Sequence, residues 1–225
     1  MLIKESKTFQ MMAGSNLIVA FAVPQKRLIV IDYSKMKTDP FTIELTIKHE
    51  LCHLLLHNHL KNGNLHRWFD EGIAQWVSGG MAEIIMSQKR SPLNEATIIG
   101  KYIKIRSLTE RFPRDRKYIF LAYEESKSLV EYIIGKFGID GILTILKHLK
   151  EGKEMDVAVL KALSISFDEL EEGWHNYLKK SITWFTYLSN NLYEILFFLA
   201  ALIMIYGFIK RLMIKKAYMD DEEND

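Results

Sequence analysis

The sequence predicts an α+β protein that is rich in helix, carries a small β-sheet near its N-terminus and has one C-terminal transmembrane helix. Two apolar, β-branched runs within residues 17–31 predict strands. Most of the later chain repeats apolar residues at the spacing of an amphipathic helix. The third observation is the segment 192–209, which is almost entirely apolar and carries one charge, that of Glu194.

Composition narrows the possible functions. The chain has 225 residues, 48% of them hydrophobic, and its 30 Lys and Arg residues nearly balance its 28 Asp and Glu residues. A net charge of +2 argues against a nucleic-acid-binding protein, because affinity for phosphates needs a concentrated basic surface. The hydrophobic fraction excludes wholesale disorder. Cys52 is the only cysteine, which excludes an intrachain disulfide and a cysteine-rich zinc site.

A hairpin is the first regular structure that the sequence predicts. Residues 17–23 and 27–31 are the two strands, and Pro24 marks the turn between them. Residues 42–60 then keep apolar residues at helical spacing, and the Asn-Gly-Asn sequence at 62–64 ends this helix. A small sheet near the start of the chain therefore precedes a helix-rich remainder.

A second helix is predicted over residues 67–78, just before a pair of glycines. Residues 81–117 are polar and irregular and suit an excursion over the surface. Gly138 marks a junction between two later helices. Three amphipathic helices are predicted beyond residue 117: residues 118–137, a segment from the junction to about 149, and residues 167–180.

The apolar segment 192–209 is interpreted as a membrane anchor. At about 1.5 Å per residue it spans roughly 27 Å, which is close to the thickness of a bilayer's hydrocarbon core. Tryptophan and tyrosine residues flank it, as they do at membrane interfaces. The alternative is a buried core helix, which is disfavoured because the tail that follows is polar. The predicted organisation is a folded domain over 1–180, a membrane-proximal and transmembrane segment over 181–209, and a charged tail over 210–225.

The charges around this segment predict its orientation. Four basic residues follow it within 210–216, against two lysines at 179–180 before it. An excess of basic residues marks the cytoplasmic side, so the C-terminus is expected in the cytoplasm and the domain outside it. The opening residues do not form a convincing signal peptide, and a start upstream of Met1 would supply one.

Residues 49–53 read His-Glu-Leu-Cys-His, an HExxH motif inside a predicted helix. Positions four apart share a helix face, so His49 and His53 point the same way and suit two ligands of one tetrahedral zinc ion. Glu50 lies between them and is placed to deprotonate a water on the metal. The motif therefore predicts two metal ligands and a general base.

A zinc site of this kind needs a third protein ligand, and three nearby histidines are weak candidates for it. His59 has the spacing of a metzincin ligand, but Leu56 stands where that motif requires a glycine. His57 continues the face of His53, yet three ligands spaced by four along one straight helix cannot surround a tetrahedral ion. With His66, these histidines are interpreted as polar residues of a helix end and a loop.

Glu71, 18 residues after His53, is the better candidate for the third ligand. The interval lets the first helix end, the chain reverse at 62–64, and a second helix return alongside the first. The alternative is an ordinary exposed glutamate, which the apolar surroundings of the Asp70-Glu71 pair disfavour. Asp70 is expected either to accept a hydrogen bond near the metal or to cap the helix.

The segments HELCH (49–53) and WFDEGIAQW (68–76) together resemble the gluzincin zinc metallopeptidases, particularly the small peptidase MA-like group. They are more distantly similar to the catalytic domains of aminopeptidase-N-type enzymes. The resemblance covers residues 9–180 and implies a zincin-like fold that acts on a peptide or protein substrate. It also implies one Zn²⁺ per chain, bound by His49, His53 and Glu71.

Two further features follow from the resemblance. The segment AYEESKSLVEYIIGKFG (122–138) is similar to the helix whose tyrosine stabilises the oxyanion in aminopeptidase-N-type enzymes, which implies that role for Tyr123. An ordinary tyrosine on a helix surface is the alternative. In such folds an edge strand beside the zinc helix can bind an extended peptide, and strand 17–23 or 27–31 is the candidate here.

The resulting hypothesis is a membrane-anchored zinc peptidase with Glu50 as general base, Tyr123 as an assisting donor, and the lipid bilayer as a partner of the C-terminal helix. A catalytically silent zincin-fold binding module tethered to the membrane remains the alternative. An intramembrane protease is excluded because the HELCH helix carries Glu44 and Lys48 and is too polar to cross a bilayer. A structural protein with a coincidental motif is disfavoured by the Asp-Glu-Gly segment at 70–72.

Overall fold

The computed structural model describes residues 1–16, 18–36, 42–60, 64–79, 91–190 and 192–222. Predictions for residue 17, for residues 62 and 63 of the chain reversal predicted at 62–64, and for residues 80–90 and 223–225 fall outside this part of the chain. The chain divides into two units, Met1–Lys179 and Lys180–Asp225. The observed elements make an α+β fold, rich in helix with one small sheet, as the sequence predicts.

The sheet contains three short strands: β1 (Leu2–Ile3), β2 (Ala20–Val23) and β3 (Leu28–Asp32). β2 and β3 form the predicted hairpin, with Ala20 opposite Ile31 and a single 3₁₀ turn, Pro24–Lys26, between the strands. β1 pairs with β3 in parallel, which places β3 in the centre and β2 at an edge. The hairpin prediction is confirmed, whereas β1 was not predicted.

Helix α1 (Ser6–Ala13) follows β1 and was also not predicted, because eight residues are too few to show a clear helical repeat; its buried residue is Phe9. Helix α2 (Ile43–His59) carries the HExxH motif and begins at Thr42, whose hydroxyl accepts a hydrogen bond from the Leu45 amide. Helix α3 (Arg67–Ser78) ends at Gly79 in the left-handed conformation. Both helices lie where the sequence predicts them.

The structure corrects the prediction that residues 81–117 are irregular. The described part of this segment contains helix α4 (Pro92–Ile99) and a 3₁₀ turn, Ile105–Leu108. Ser91 caps α4 by accepting from the Asn94 amide, and Pro92 occupies the first helical position, where its missing amide hydrogen costs nothing. The helix is only eight residues long, and this short length hides the amphipathic repeat on which a sequence prediction depends.

Helix α5 (Arg116–Lys150) is broken where the sequence predicts a junction. Gly138 has φ 75° and ψ 172°, a conformation that only glycine adopts readily, so two helical segments meet there. Helix α6 (Met155–Leu163) was not predicted, and α7 (Phe167–Asn190) extends ten residues beyond its predicted end. Helices α3, α5, α6 and α7 surround one hydrophobic core, in which Trp68, Leu129 and Trp174 are fully buried.

The approach of α3 to α5 depends on Gly72. A Cβ atom on this residue would lie 2.5 Å from the carbonyl oxygen of Ser126 and 2.7 Å from Cγ2 of Val130. Only a residue without a side chain therefore lets the two helices come this close. The contact fixes the position of α3, on which the preceding residue, Glu71, is carried into the site.

Helix α8 (Leu192–Glu222) forms most of the second unit. Its segment Leu192–Arg211 is long and apolar enough to cross a membrane, with a mean hydropathy of 2.3 and none of its most apolar window buried. Tyr193 and Tyr206 are exposed on this helix, while the side chains of Trp184 and Tyr187 lie outside the described part of the chain.

Candidate metal centre

The two motif histidines converge on one point. His49 and His53 lie one helical turn apart on α2, both buried, and their Nε2 atoms are 3.1 Å apart. The rings meet edge to face, with centroids 4.8 Å apart. Two imidazole nitrogens at this separation point into the same small space, which suits ligands of a single ion.

Glu71 reaches the same point from α3. Its Oε2 atom lies 3.7 Å from Nε2 of His49 and 3.6 Å from Nε2 of His53. Ligands held about 2.0–2.1 Å from a tetrahedral ion would be about 3.4 Å apart, so the three observed separations fit such a site. Oε2 is buried and accepts no hydrogen bond from the described residues. Two nitrogens and one carboxylate oxygen form a donor set that Zn²⁺ favours, and they are the group of described residues that could hold a metal ion.

Asp70 supports this arrangement from the adjacent position on α3. Its Oδ1 lies 2.8 Å from Nδ1 of His53, and its Oδ2 lies 3.1 Å from Nε2 of His57. Burial acts to raise the pKa of Asp70, but the hydrogen bonds from His53 and His57 outweigh it and lower the pKa to about 2. An ionised carboxylate only accepts, so His53 carries its proton on Nδ1 and presents an unprotonated Nε2 to the metal position. Of the two roles expected for Asp70, the structure favours the acceptor.

His49 is oriented by Ser78, at the C-terminal end of α3. Nδ1 of His49 lies 3.4 Å from the hydroxyl of Ser78, a long hydrogen bond between two buried groups. The Ser78 hydroxyl also donates to the Gln75 carbonyl at 3.3 Å, which fixes its rotamer. Asp70, Glu71 and Ser78 therefore approach the two histidines from one helix.

The other histidines near the motif lie outside the cluster. His57 binds the outer oxygen of Asp70 and is partly exposed. His59 is at the end of α2, beside an apolar groove on another face, and His66 is the residue that precedes α3. Burial lowers the pKa of His66. Their interpretation as polar residues of a helix end and a loop agrees with these positions.

A cavity of about 250 Å³ opens beside the cluster. Glu50, His53 and His57 line it from α2, Asp70 and Glu71 from α3, and Tyr123 from α5. Residues Ala20, Phe21 and Ala22 of the edge strand β2 also line it. Glu50 is fully buried, so a water in this cavity would meet its carboxylate in a site screened from bulk solvent. Four of the residues proposed from the sequence, Glu50, His53, Glu71 and Tyr123, thus line one cavity, and the fifth, His49, lies beside it in the cluster with His53 and Glu71.

Arg67 is a residue of the site to which the sequence analysis assigned no role. Its guanidinium lies 2.9 Å from Oε1 of Glu71 and 5.2 Å from the centre of the Phe112 ring. Phe112 in turn meets Tyr123 edge to face, with ring centroids 4.9 Å apart. The i, i+4 spacing of Arg67 and Glu71 is visible in the sequence, but it is shared by many surface ion pairs.

Cys52 is separate from this chemistry. It lies on another side of α2, is buried, and lines the groove that His59 also borders. Burial raises the pKa of its thiol to about 11, so the reactive thiolate is scarce at neutral pH. Cys52 is thus a small buried residue of α2.

The comparisons with known proteins agree with this geometry. Residues 15–180 match the family model of the Peptidase MA superfamily, which covers both motif segments and all the elements that surround the cavity. No curated protein and no solved structure matches the chain. The family is thus identified by a match over most of the chain, and it agrees with the zincin-like fold that the sequence resemblance implies. The chain belongs to the Peptidase MA superfamily.

Proposed function

We propose that this chain is a membrane-anchored, zinc-dependent peptidase of the gluzincin type. The observation that carries the proposal is the convergence of His49, His53 and Glu71 beside a cavity that Glu50 also lines. Membership of the Peptidase MA superfamily supports a peptide or protein substrate. One Zn²⁺ per chain is expected, bound by Nε2 of each histidine and by Glu71.

When bound, the zinc ion would polarise the scissile carbonyl and lower the pKa of the attacking water. Glu50 takes the proton from that water and then delivers it to the amine of the leaving peptide. Its burial favours this exchange, because a carboxylate removed from bulk water does not lose the proton to solvent. Tyr123 donates a hydrogen bond to the oxygen on which negative charge develops.

The edge strand β2 is the proposed binding site for the substrate backbone. Among the described residues β2 has a ladder partner on one side, β3, and its residues 20–22 line the cavity. An extended peptide paired with this strand would lie across the cavity mouth, so that its scissile bond faces Glu50. Of the two hairpin strands considered from the sequence, β3 is central in the sheet and is not available for this pairing.

Anchoring in the membrane is supported by the unburied apolar segment Leu192–Arg211. The basic residues at 210–216 favour a cytoplasmic C-terminus and a site outside the cytoplasm. Two single-cysteine variants of the Cys52→Ser chain test this topology in intact cells: Lys7→Cys and Asp221→Cys. An impermeant maleimide should label Lys7→Cys without lysis and Asp221→Cys only after lysis; the reverse pattern would place the site in the cytoplasm.

The catalytic proposal is tested with the full chain in detergent and a quenched fluorescent casein substrate. Hydrolysis should require Zn²⁺, stop on addition of a chelator and return with added zinc. Glu50→Gln should bind zinc normally and lose at least about 10²-fold in kcat. Cleavage that persists in Glu50→Gln would contradict the mechanism. Zinc binding without any cleavage by the wild-type chain would favour the silent binding module instead.

A further inference from the structure

We infer that Arg67 is a positioning residue that holds Glu71 by one carboxylate oxygen, so that only the other oxygen faces the metal; this rests on the metal site proposed above. The two oxygens of Glu71 have different surroundings. Oε1 accepts from the Arg67 guanidinium at 2.9 Å, whereas Oε2 is directed at the two histidines and accepts no hydrogen bond from the described residues. Arg67 therefore satisfies the oxygen that the metal does not use.

The number of oxygens that Glu71 offers determines how many positions remain for the reaction. A carboxylate that binds through both oxygens occupies two coordination positions, whereas one that binds through a single oxygen occupies one. With two histidines and one oxygen, a tetrahedral ion keeps its fourth position open for water or substrate. Loss of the Arg67 contact would free Oε1 to turn toward the ion and to compete for that position.

Arg67 is itself held in place from three directions. Its amide donates to the Thr109 carbonyl at 2.7 Å at the start of α3, which fixes the backbone. Its guanidinium lies over the Phe112 ring, and four residues along the helix it meets Glu71. The side chain of Glu71 is 4% exposed, so this ion pair is sheltered on the carboxylate side and is not an ordinary surface pair.

The molecule contains a matched control for this residue. Arg106 also pairs with carboxylates, those of Asp156 and Asp168, and its guanidinium lies 4.8 Å from the centre of the Phe167 ring. The side chains of Arg67 and Arg106 are 44% and 49% exposed. Arg106 borders a different surface pocket, away from the cluster. Arg106→Ala therefore removes a stacked arginine of similar exposure, whose carboxylate partners lie at the surface, without touching the metal centre.

The test uses the visible absorption of Co²⁺ bound to the full chain in detergent, because four-coordinate Co²⁺ absorbs several-fold more strongly than five- or six-coordinate Co²⁺. We expect a strong band for the wild-type chain, Arg67→Lys and Arg106→Ala, and a several-fold weaker band for Arg67→Ala. Weaker Co²⁺ binding by Arg67→Ala would equally support positioning, since removal of a positive charge should by itself tighten the binding of a cation.

Three outcomes would overturn the inference. Arg67→Ala with the band and affinity of the wild-type chain would show that Glu71 does not depend on Arg67. An equal loss of intensity in Arg106→Ala would show that any lost ion pair loosens the site. A wild-type chain that binds no Co²⁺ would refute the proposed metal site, and the inference about Arg67 with it. The first two results leave the proposed function intact.

Discussion

Oδ1 of Asp70 lies 2.8 Å from Nδ1 of His53, the ring nitrogen that faces away from the metal position. This contact determines which nitrogen of His53 carries the proton. It also restrains rotation of the ring, because the acceptor is mostly shielded from solvent and is carried on α3. A carboxylate that accepts a hydrogen bond from the second nitrogen of a metal-binding imidazole orients the ring and also increases its basicity as a ligand.

Asp70→Ala should therefore weaken zinc binding by about 10–100-fold. His57→Ala is the control, because it removes the other partner of Asp70 and leaves the contact with His53 in place. Affinities are measured on the full chain by competition with a chromophoric chelator. Equal effects of the two substitutions would argue that Asp70 does not act through His53.

Removal of a ligand should abolish stoichiometric zinc. We expect about one zinc ion per wild-type chain by mass spectrometry, and none above background in His49→Ala or Glu71→Ala, because two remaining ligands cannot hold the ion against dilution. His59→Ala, which changes a histidine on the same helix outside the cluster, should retain zinc. Zinc that persists in Glu71→Ala would identify another residue as the third ligand.

Tyr123→Phe should lower kcat for the casein substrate by on the order of 10²-fold, because it removes a hydrogen-bond donor from the developing oxyanion. Zinc content and KM should change little, since the ring and its contact with Phe112 remain. Tyr132→Phe, on the same helix but with its hydroxyl bound by Lys136, should keep wild-type activity. A kcat unchanged in Tyr123→Phe would restrict Tyr123 to lining the cavity.

Glu125 provides a prediction about pH. Its pKa is raised from 4.5 to about 8. Burial is the largest cause, a hydrogen bond from the Ile103 amide acts in the opposite direction, and the nearby Glu171 and Glu124 carboxylates raise the pKa further. The native state thus keeps a proton that the unfolded chain has released. The stabilising contribution of Glu125 is complete below about pH 4.5 and is lost as the pH rises to about 8.

Glu125→Gln should remove this dependence. We expect the variant to have a higher Tm than the wild-type chain at pH 8.5 and a similar Tm at pH 5, because glutamine cannot acquire the buried charge. The Tm values are measured by calorimetry on chelator-treated protein, so that metal binding does not contribute. Glu131→Gln, which changes a half-exposed glutamate on the same helix, should follow the wild-type chain at both pH values. A Tm difference between Glu125→Gln and the wild-type chain that does not vary with pH would contradict the assignment.

Gly72→Ala should destabilise the protein by about 1–3 kcal/mol or more, because the added methyl group collides with the Ser126 carbonyl and Val130. Gly135→Ala is the matched control. A Cβ there meets no atom within 4 Å, and alanine is favoured over glycine inside a helix by about 1 kcal/mol. Denaturant unfolding should therefore show a lower free energy of unfolding for Gly72→Ala and a higher one for Gly135→Ala than for the wild-type chain. Equal stability of Gly72→Ala and the wild-type chain would contradict the close packing of α3 on α5.

The predictable parts of this protein are those with a long or distinctive repeat. The hairpin, α2 and α3 follow from β-branched runs and helical spacing, and the i, i+4 rule alone directs His49 and His53 to one point. Strand β1 and helices α4 and α6 were missed because two to nine residues carry too little periodicity to stand out. The predicted end of α7 was too early because the apolar residues after Lys180 continue a helix without a stop signal.

The supporting contacts of the metal centre were less predictable than the candidate ligands. The orientation of Asp70 toward His53 depends on how α3 is rotated about its axis, which the sequence leaves open. The contact of Arg67 with Glu71 has the same spacing as many weak surface pairs, and only burial of the carboxylate distinguishes it. Phe112, which joins Arg67 to Tyr123, comes from a segment without helical or strand periodicity.

The placement of Arg67, Asp70, Glu71 and Ser78 on the single helix α3 has an energetic consequence. A metal ion bound by residues of both α2 and α3 acts as a cross-link between two helices whose connection includes residues 61–63. By thermodynamic linkage, free zinc at about 100 times its dissociation constant stabilises the state in which α3 packs beside α2 by about 2.7 kcal/mol. If the proposed site binds zinc in the cell, zinc supply would set the folded fraction of the chain as well as its proposed activity, and a metal-starved cell would hold less of the protein.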